Sequence, residues 1–115
     1  MPVNISALPL EVNLALYAGD SFGPLVLTVL DPAGDPADLT GYTPTAEIRP
    51  HRDHDGPALA AFAASITANQ VTLYLGADQA AKLADGRAVW DCQILGPLTL
   101  TLASGRVDVT GDVTP

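Results

Sequence analysis

The sequence predicts an all-β fold built mainly from antiparallel strands. Apolar and polar residues alternate with a period of two in several segments, which is typical of strands with one buried face. Ten glycines and ten prolines fall between the apolar runs rather than in one block, and these residue types form turns and end strands. With 115 residues, 48% hydrophobic and 16% charged, the chain has the size and composition of one folded domain.

The first half of the chain contains three predicted strands. Residues Leu10 to Tyr17 place leucine and valine on one face and polar or small residues on the other. Residues Pro24 to Leu30 are rich in apolar and β-branched types, so they predict a second strand, and the short link between the two predicts a hairpin. Turns at Asp31 to Pro36 and Asp38 to Tyr42 then lead into a short strand over Thr45 to Arg49.

The middle of the chain combines two strands and a helix. Residues Ala58 to Ile66 permit a helix by their alanine content, but their length and the flanking proline and glycine favour a strand. Residues Gln70 to Leu75 alternate clearly. Residues Gly76 to Ala84 consist of good helix formers and predict a short helix. Because a helix this short is marginal alone, we expect it to dock on the sheets through Ala80 and Leu83.

The last part of the chain predicts further strands over Arg87 to Leu95, over Leu98 to Leu102 and, after a turn or bulge at Ser104-Gly105, over Val107 to Val109. The total is about seven to eight strands with one short helix, and turns recur about every ten residues. This rhythm predicts an immunoglobulin-like antiparallel β-sandwich. The cysteine pair of antibody domains is missing, since Cys92 is the single cysteine.

Two terminal segments flank the predicted sandwich domain, which covers residues 10–110. Residues 111–115 form a C-terminal tail, and residues 1–9 form an N-terminal arm. The arm carries three apolar residues separated by polar or small ones: Val3, Ile5 and Leu8. The arm either pairs with a sheet edge of a neighbouring chain or is a frayed end. Because a free apolar arm would be a liability, these three residues are the interaction candidates.

The charge of the chain excludes several classes of partner. The net charge is −8, from 13 acidic and 5 basic residues, so nucleic acid and anionic membrane surfaces are repelled. No apolar run approaches the roughly 20 residues needed to span a bilayer. Residues Met1 to Ser6 lack the basic and apolar regions of a signal peptide. We therefore expect a soluble chain made in a cytoplasm.

The segment His51 to Gly56 brings ligand-type residues close together in sequence. One interpretation is a divalent metal site, with His51 and His54 for zinc or Asp53 and Asp55 for calcium; the other is a solvated loop rich in turn formers. A closed zinc site needs further ligands, and calcium needs more oxygens than this loop offers. The prediction is therefore no metal and no cofactor, with these four residues as weak candidates only.

No pattern in the sequence is typical of catalysis, so the chain is predicted not to be an enzyme and to have no catalytic residues. The nucleophile for a His–Asp pair would have to be Ser65, Ser104 or Cys92. Cys92 is expected on an inward face beside Trp90, where thiols are usually inert. Trp90 itself is interpreted as the centre of the core rather than an interface anchor. No nucleophile elbow and no phosphate-binding glycine loop occur.

Several motifs follow one another in a recognisable order. The most specific is Asp-Leu-Thr-Gly-Tyr at Asp38 to Tyr42, preceded by Ala-Gly-Asp-Ser-Phe at Ala18 to Phe22 and followed by Ala-Glu-Ile-Arg at Ala46 to Arg49. Later come Gly-Arg-Ala-Val-Trp-Asp-Cys-Gln-Ile at Gly86 to Ile94 and Gly-Arg-Val-Asp-Val at Gly105 to Val109. This order resembles the N-terminal domain of phage upper-baseplate proteins and related small phage tail proteins, over nearly the whole chain.

The resemblance implies an immunoglobulin-like sandwich, no catalysis and a place in the virion of a tailed phage, assembled in the host cytoplasm. The expected function is that of a tail or baseplate component that mediates protein–protein assembly. Its expected partners are other virion proteins and further copies of itself, but not nucleic acid or membrane. Two alternatives remain open: a capsid decoration protein of the same fold, and a carbohydrate- or metal-binding module that uses the loop at His51 to Asp55.

Overall fold

Two β-sheets packed face to face make up the fold, which is described here from a computed structural model for residues 2–5, 10–51 and 56–111. In chain order the elements are β1 (Pro2–Ile5), β2 (Leu10–Glu11), β3 (Leu14–Tyr17), β4 (Phe22–Val29), β5 (Thr43–Arg49), β6 (Ala60–Ala61), β7 (Ala63–Thr67), β8 (Gln70–Leu75), α1 (Ala77–Ala80), β9 (Gly86–Leu95) and β10 (Thr99–Thr110). The predicted all-β sandwich with one short helix is confirmed. In the described part of the chain, no helix has the length and hydropathy that crossing a membrane requires.

The strand order is that of an immunoglobulin-like sandwich. The first sheet has the order β1-β4-β8-β7, and the second has the order β2-β10-β9-β5-β6, with β3 also paired to β10. Strands β4, β8 and β7 take the places of strands B, E and D of that fold, and β5, β9 and β10 take those of C, F and G. The pairs β1–β4, β2–β10 and β3–β10 are parallel, so the sheets are mixed rather than wholly antiparallel.

The predicted hairpin between the first two strands is wrong. The segment from Leu10 to Tyr17 forms β2 and β3 on the edge of the second sheet, whereas β4 lies inside the first sheet between β1 and β8. The turn after Tyr17 therefore carries the chain across the sandwich from one layer to the other. Alternation shows that both segments have one buried face, but it does not show which strand lies beside which.

The core lies between the sheets and is built from the inward residues that alternation predicts. In the segments with the clearest alternation, the following side chains are at most 6% exposed: Leu14, Leu16, Val71, Leu73, Leu75, Ala88, Trp90, Cys92, Ile94, Val107 and Val109. Each fully buried leucine or isoleucine contributes about 1.5–3 kcal/mol relative to an exposed position. Trp90 is 2% exposed, which confirms its place in the core.

Two segments divide or join differently from their predictions. The segment from Ala58 to Ile66 breaks at Phe62, because β6 pairs with β5 in the second sheet while β7 pairs with β8 in the first. The last two predicted strands join into β10, which runs through Gly105 without a turn; its register shift lies between Thr101 and Ala103.

The helix α1 is shorter than predicted but docks through the expected residues. It spans four residues rather than the segment from Gly76 to Ala84. Ala80 is fully buried and Leu83 is 6% exposed. Burial of these two side chains, rather than helix length, holds this segment on the sheets.

Candidate functional site

The loop predicted as a weak metal candidate lies mostly outside the described residues. His51 is exposed, and Asp53, His54 and Asp55 fall within residues 52–55, which are not described. Within the described ranges, no three side chains of His, Cys, Asp or Glu type come together to hold a metal ion. The absence of a metal from this loop therefore stays a prediction.

The N-terminal arm is partly a strand of its own chain. The backbone of Pro2 to Ile5 pairs in parallel with β4, with Val3 in register with Leu27 and Ile5 in register with Val29. Leu8 lies outside the described residues. The arm therefore extends the first sheet at the edge next to β4, and contact of Val3, Ile5 and Leu8 with a neighbouring chain stays a prediction.

A polar groove of about 500 Å³ crosses the outer face of the second sheet. It runs between the link that joins β2 to β3 and the strands β10, β9 and β5. Its main polar lining consists of Glu11, Asn13, Arg49, Asp91, Ser104 and Arg106. Because this lining is largely polar and charged, its charges decide what the groove could bind.

Ion pairs within the sheet already use the arginines of this outer face. Glu47 and Asp91 stand directly opposite each other in the β5–β9 ladder, where two like charges destabilise the sheet. The guanidinium of Arg49 bridges them: Nη2 donates to Glu47 Oε1, and Nη1 lies 3.3 Å from Asp91 Oδ1.

The second cluster has the opposite arrangement. Here one carboxylate, that of Asp108, lies between two arginines. Its Oδ1 is 3.3 Å from Nε of Arg87, and its Oδ2 is 3.3 Å from Nε of Arg106. Each of these arginines thus has a carboxylate partner in its own sheet. These arginines therefore stabilise the pairing of the strands, and the groove is poorly suited to binding an anionic ligand.

At one wall of the groove, the link between β2 and β3 packs directly on the sheet. The indole Nε1 of Trp90 donates to the carbonyl oxygen of Val12 at 2.7 Å. Asn13 Oδ1 accepts from the backbone N–H of Arg106 at 2.9 Å. A Cβ on Gly105 would lie 2.0 Å from the Val12 oxygen. Glycine at this position therefore permits the close approach, whereas the sequence pattern predicted a turn or bulge at Ser104-Gly105 and gave no sign of this contact.

The three candidate nucleophiles are not brought together. Ser65 lies on the outer face of β7 in the first sheet, and Ser104 lies in the groove on the second sheet. Cys92 is fully buried between the sheets, and burial together with the charge of Asp91 raises the pKa of its thiol to about 12. At neutral pH this cysteine is a protonated core residue.

Charge is divided unequally between the two sheets. Strands β1, β4, β7 and β8 of the first sheet contain no Asp, Glu, Lys, Arg or His. Strands of the second sheet contain Glu11, Glu47, Arg49, Arg87, Asp91, Arg106 and Asp108. The outer side of the first sheet is here termed the uncharged face. On strands β4, β7 and β8 it consists of Val26, Thr28, Ala63, Ser65, Thr67, Gln70, Thr72 and Tyr74.

The uncharged face ends at β7, which is an edge strand. Its residues alternate between exposed and half-buried, with Ala63, Ser65 and Thr67 exposed and Ala64 and Ile66 half-buried. Together, a neutral sheet face and an open strand edge form a surface suited to another protein. The sequence predicted a sheet edge as a contact site only for the N-terminal arm, and it did not single out β7.

No protein-family model and no curated protein matches this chain. Among solved structures, it is similar to the bradyzoite-specific antigen BSR4 from Toxoplasma gondii, with 11% sequence identity and a TM-score of 0.36. The alignment covers 95% of this chain and 45% of the antigen chain, so this chain spans less than half the length of the antigen. A similarity at this level assigns neither a family nor a function.

Proposed function

We propose that this chain is a non-catalytic structural protein of a tailed-phage virion, a tail or baseplate component that acts through protein–protein contacts. The observation that carries the proposal is the separation of charge between the two sheets. A chain with a net charge of −8 keeps one sheet free of charged residues.

This separation fits assembly better than catalysis. Cores of protein interfaces are depleted in charged residues, and a high net charge elsewhere on the surface keeps the free chain soluble. The charged second sheet pairs its arginines internally. The neutral first sheet is therefore the surface left to meet a partner.

The motif that carries the resemblance is a structural turn. Asp38 Oδ1 accepts from the backbone N–H of Thr40 at 3.0 Å, and the N–H of Tyr42 donates to the carbonyl of Leu39 at 3.2 Å. Leu39 is 6% exposed, and Tyr42 packs against the core. A motif that fixes one turn of the sandwich supports a shared scaffold with small phage tail proteins, not a shared active site.

Immunogold labelling of purified phage particles tests the proposal. An antibody against this chain is expected to label the tail or baseplate, with particles from a deletion strain as the control. Label confined to the head would replace the tail assignment with the capsid-decoration alternative. Particles that carry no label and no peptide of this chain would overturn the proposal of a virion protein.

A further inference from the structure

We infer that a second copy of this chain pairs with β7 across a two-fold axis. The two first sheets would then form one continuous sheet, with four strands from each copy. The inference rests on the proposed assembly function and names the partner as the chain itself. The observation that supports the inference is the geometry of the β7 edge.

On one side of β7, the backbone groups have no partner strand among the described residues. A two-residue turn at Ala68 and Asn69 joins β7 to β8, and it closes on the pair Thr67–Gln70. Hydrogen-bonded and non-bonded pairs alternate along an antiparallel ladder. The N–H and C=O groups of Ala64 and Ile66 therefore point away from β8, and no described strand pairs with that side of β7.

This edge lacks the devices that protect the others. Strand β1 begins with Pro2, Pro44 lies in the part of β5 that β6 leaves uncovered, and β2, β3 and β6 are two to four residues long. Proteins protect edge strands with proline, charge, bulges or shortness. β7 is five residues long, has neither proline nor charge, and ends in the β-branched residues Ile66 and Thr67.

The edge is also complementary to itself. In an antiparallel pairing centred on Ser65, Ala64 lies opposite Ile66 of the partner subunit, and each such pair exchanges two backbone hydrogen bonds. Ala64 and Ile66 are half-buried apolar side chains that pack against the core. A second β7 would cover their exposed parts with the same residue types. Ser65 would then lie opposite Ser65 of the partner subunit, with Cβ atoms about 4.5–5.5 Å apart.

Charge favours this contact over others between two copies. Each copy carries a net charge of −8, so random encounters are repulsive. Contact through β7 brings together strands without carboxylates, whereas contact through the second sheet adds Glu47 and Asp91 to the interface. The remaining repulsion is long-range and is screened by salt, so association is expected to strengthen between low and physiological ionic strength.

Sedimentation equilibrium of the purified chain tests the inference. The wild-type chain is expected to show a monomer–dimer equilibrium, which S65K and S65D each weaken by about tenfold or more because residue 65 lies opposite itself. An equimolar mixture of S65K and S65D is expected to recover the dimer. The matched control is T43K, which places the same charge on an exposed position of strand β5 in the second sheet, outside the uncharged face, and it should leave the dimer intact.

A backbone variant gives a second, independent readout. Proline at position 64 removes an outward N–H without removing a bond to β8, so A64P is expected to abolish the dimer while A64V retains it. Hydrogen exchange at Ala64 and Ile66 should slow as the protein concentration rises. A wild-type chain that stays monomeric, or a dimer indifferent to S65K and A64P, would overturn the inference. Labelled particles together with a monomeric chain would overturn this inference alone and leave the proposed function in place.

Discussion

The indole nitrogen of Trp90 and the carbonyl oxygen of Val12 lie 2.7 Å apart and join positions separated by 78 residues. A buried tryptophan normally finds a partner for its N–H group, and here the partner is the link between β2 and β3. The ring also packs against Phe62, with centroids 5.8 Å apart at an angle of 57°. Trp90 therefore connects the core to the N-terminal edge of the second sheet.

Replacement of Gly105 by alanine is expected to separate this pair. The new Cβ would lie 2.0 Å from the Val12 oxygen, so the link must move away and the Trp90 hydrogen bond is lost. We expect a loss of about 2–4 kcal/mol in the free energy of unfolding, since overpacking and an unpaired buried N–H both contribute. Urea denaturation measures the loss. S104A on the same strand is the control, and equal stabilities of G105A and S104A would contradict the close approach.

Cys92 is expected to resist thiol reagents in the folded protein. Burial is the largest cause that raises its thiol pKa to about 12, with the charge of Asp91 second, so almost no thiolate exists at pH 8. Alkylation followed by mass spectrometry should show modification only after denaturant is added. Rapid labelling of the native chain at pH 8 would show instead that the sheets open around this residue.

The Asp38 carboxylate is expected to titrate below its ordinary value of 3.8. A hydrogen bond from the side chain of Thr40 is the largest cause that lowers its pKa, and a hydrogen bond from the backbone N–H of Thr40 is the second. A lowered folded-state pKa means that its contribution to stability is present above about pH 3.8 and is lost as the pH falls through the folded-state value. Carboxyl-carbon NMR measures the titration. The T40A variant should return the Asp38 pKa toward 3.8, while T40S should keep it lowered.

Removal of the Arg49 bridge is expected to expose a repulsion between two carboxylates. R49M leaves Glu47 opposite Asp91, and we expect a loss of about 0.5–1 kcal/mol in unfolding free energy that high salt reduces. R87M is the control, because Arg87 is 77% exposed and its pair with Asp108 should contribute less. If E47Q fails to recover stability in the R49M background, repulsion is not the cause.

Zinc and calcium are expected to bind weakly or not at all. The segment from His51 to Asp55 offers two imidazoles for zinc, which is half of the four ligands of a closed site, and two carboxylates for calcium, which takes six or more oxygens. Isothermal calorimetry with millimolar metal should give no heat beyond dilution. Heat that disappears in the double variant H51A/H54A would support the metal-binding alternative.

Local alternation predicted the buried face of most strands correctly, because that face depends on the order of apolar and polar residues within the strand itself. Leu73, Ala88 and Ile94 lie where a period of two places them. Neighbour relations were harder, since nothing near Leu14 in sequence indicates that its strand pairs with the strand of Val107. Such pairings depend on residues far apart in the chain.

The candidate surfaces were predictable only in part. The uncharged face can be seen in the sequence as strands without charged residues, but only the topology places those strands in one sheet. The open edge of β7 depends on Phe62, where the chain leaves the second sheet for the first. No residue type signals that change of sheet. The Trp90–Val12 contact likewise needs Gly105 as a neighbour, and this follows from register alone.

The position of β10 also determines which of the two sheets can form first during synthesis. This strand lies beside β9 and pairs with both β2 and β3. Leu14 and Leu16 of β3 therefore have no partner strand until Val107 and Val109 of β10 have been synthesised. Pairing of β4, β7 and β8 needs nothing beyond residue 75. A ribosome making this protein would therefore release one layer ready to form while the other stays incomplete until its last strand leaves the exit tunnel.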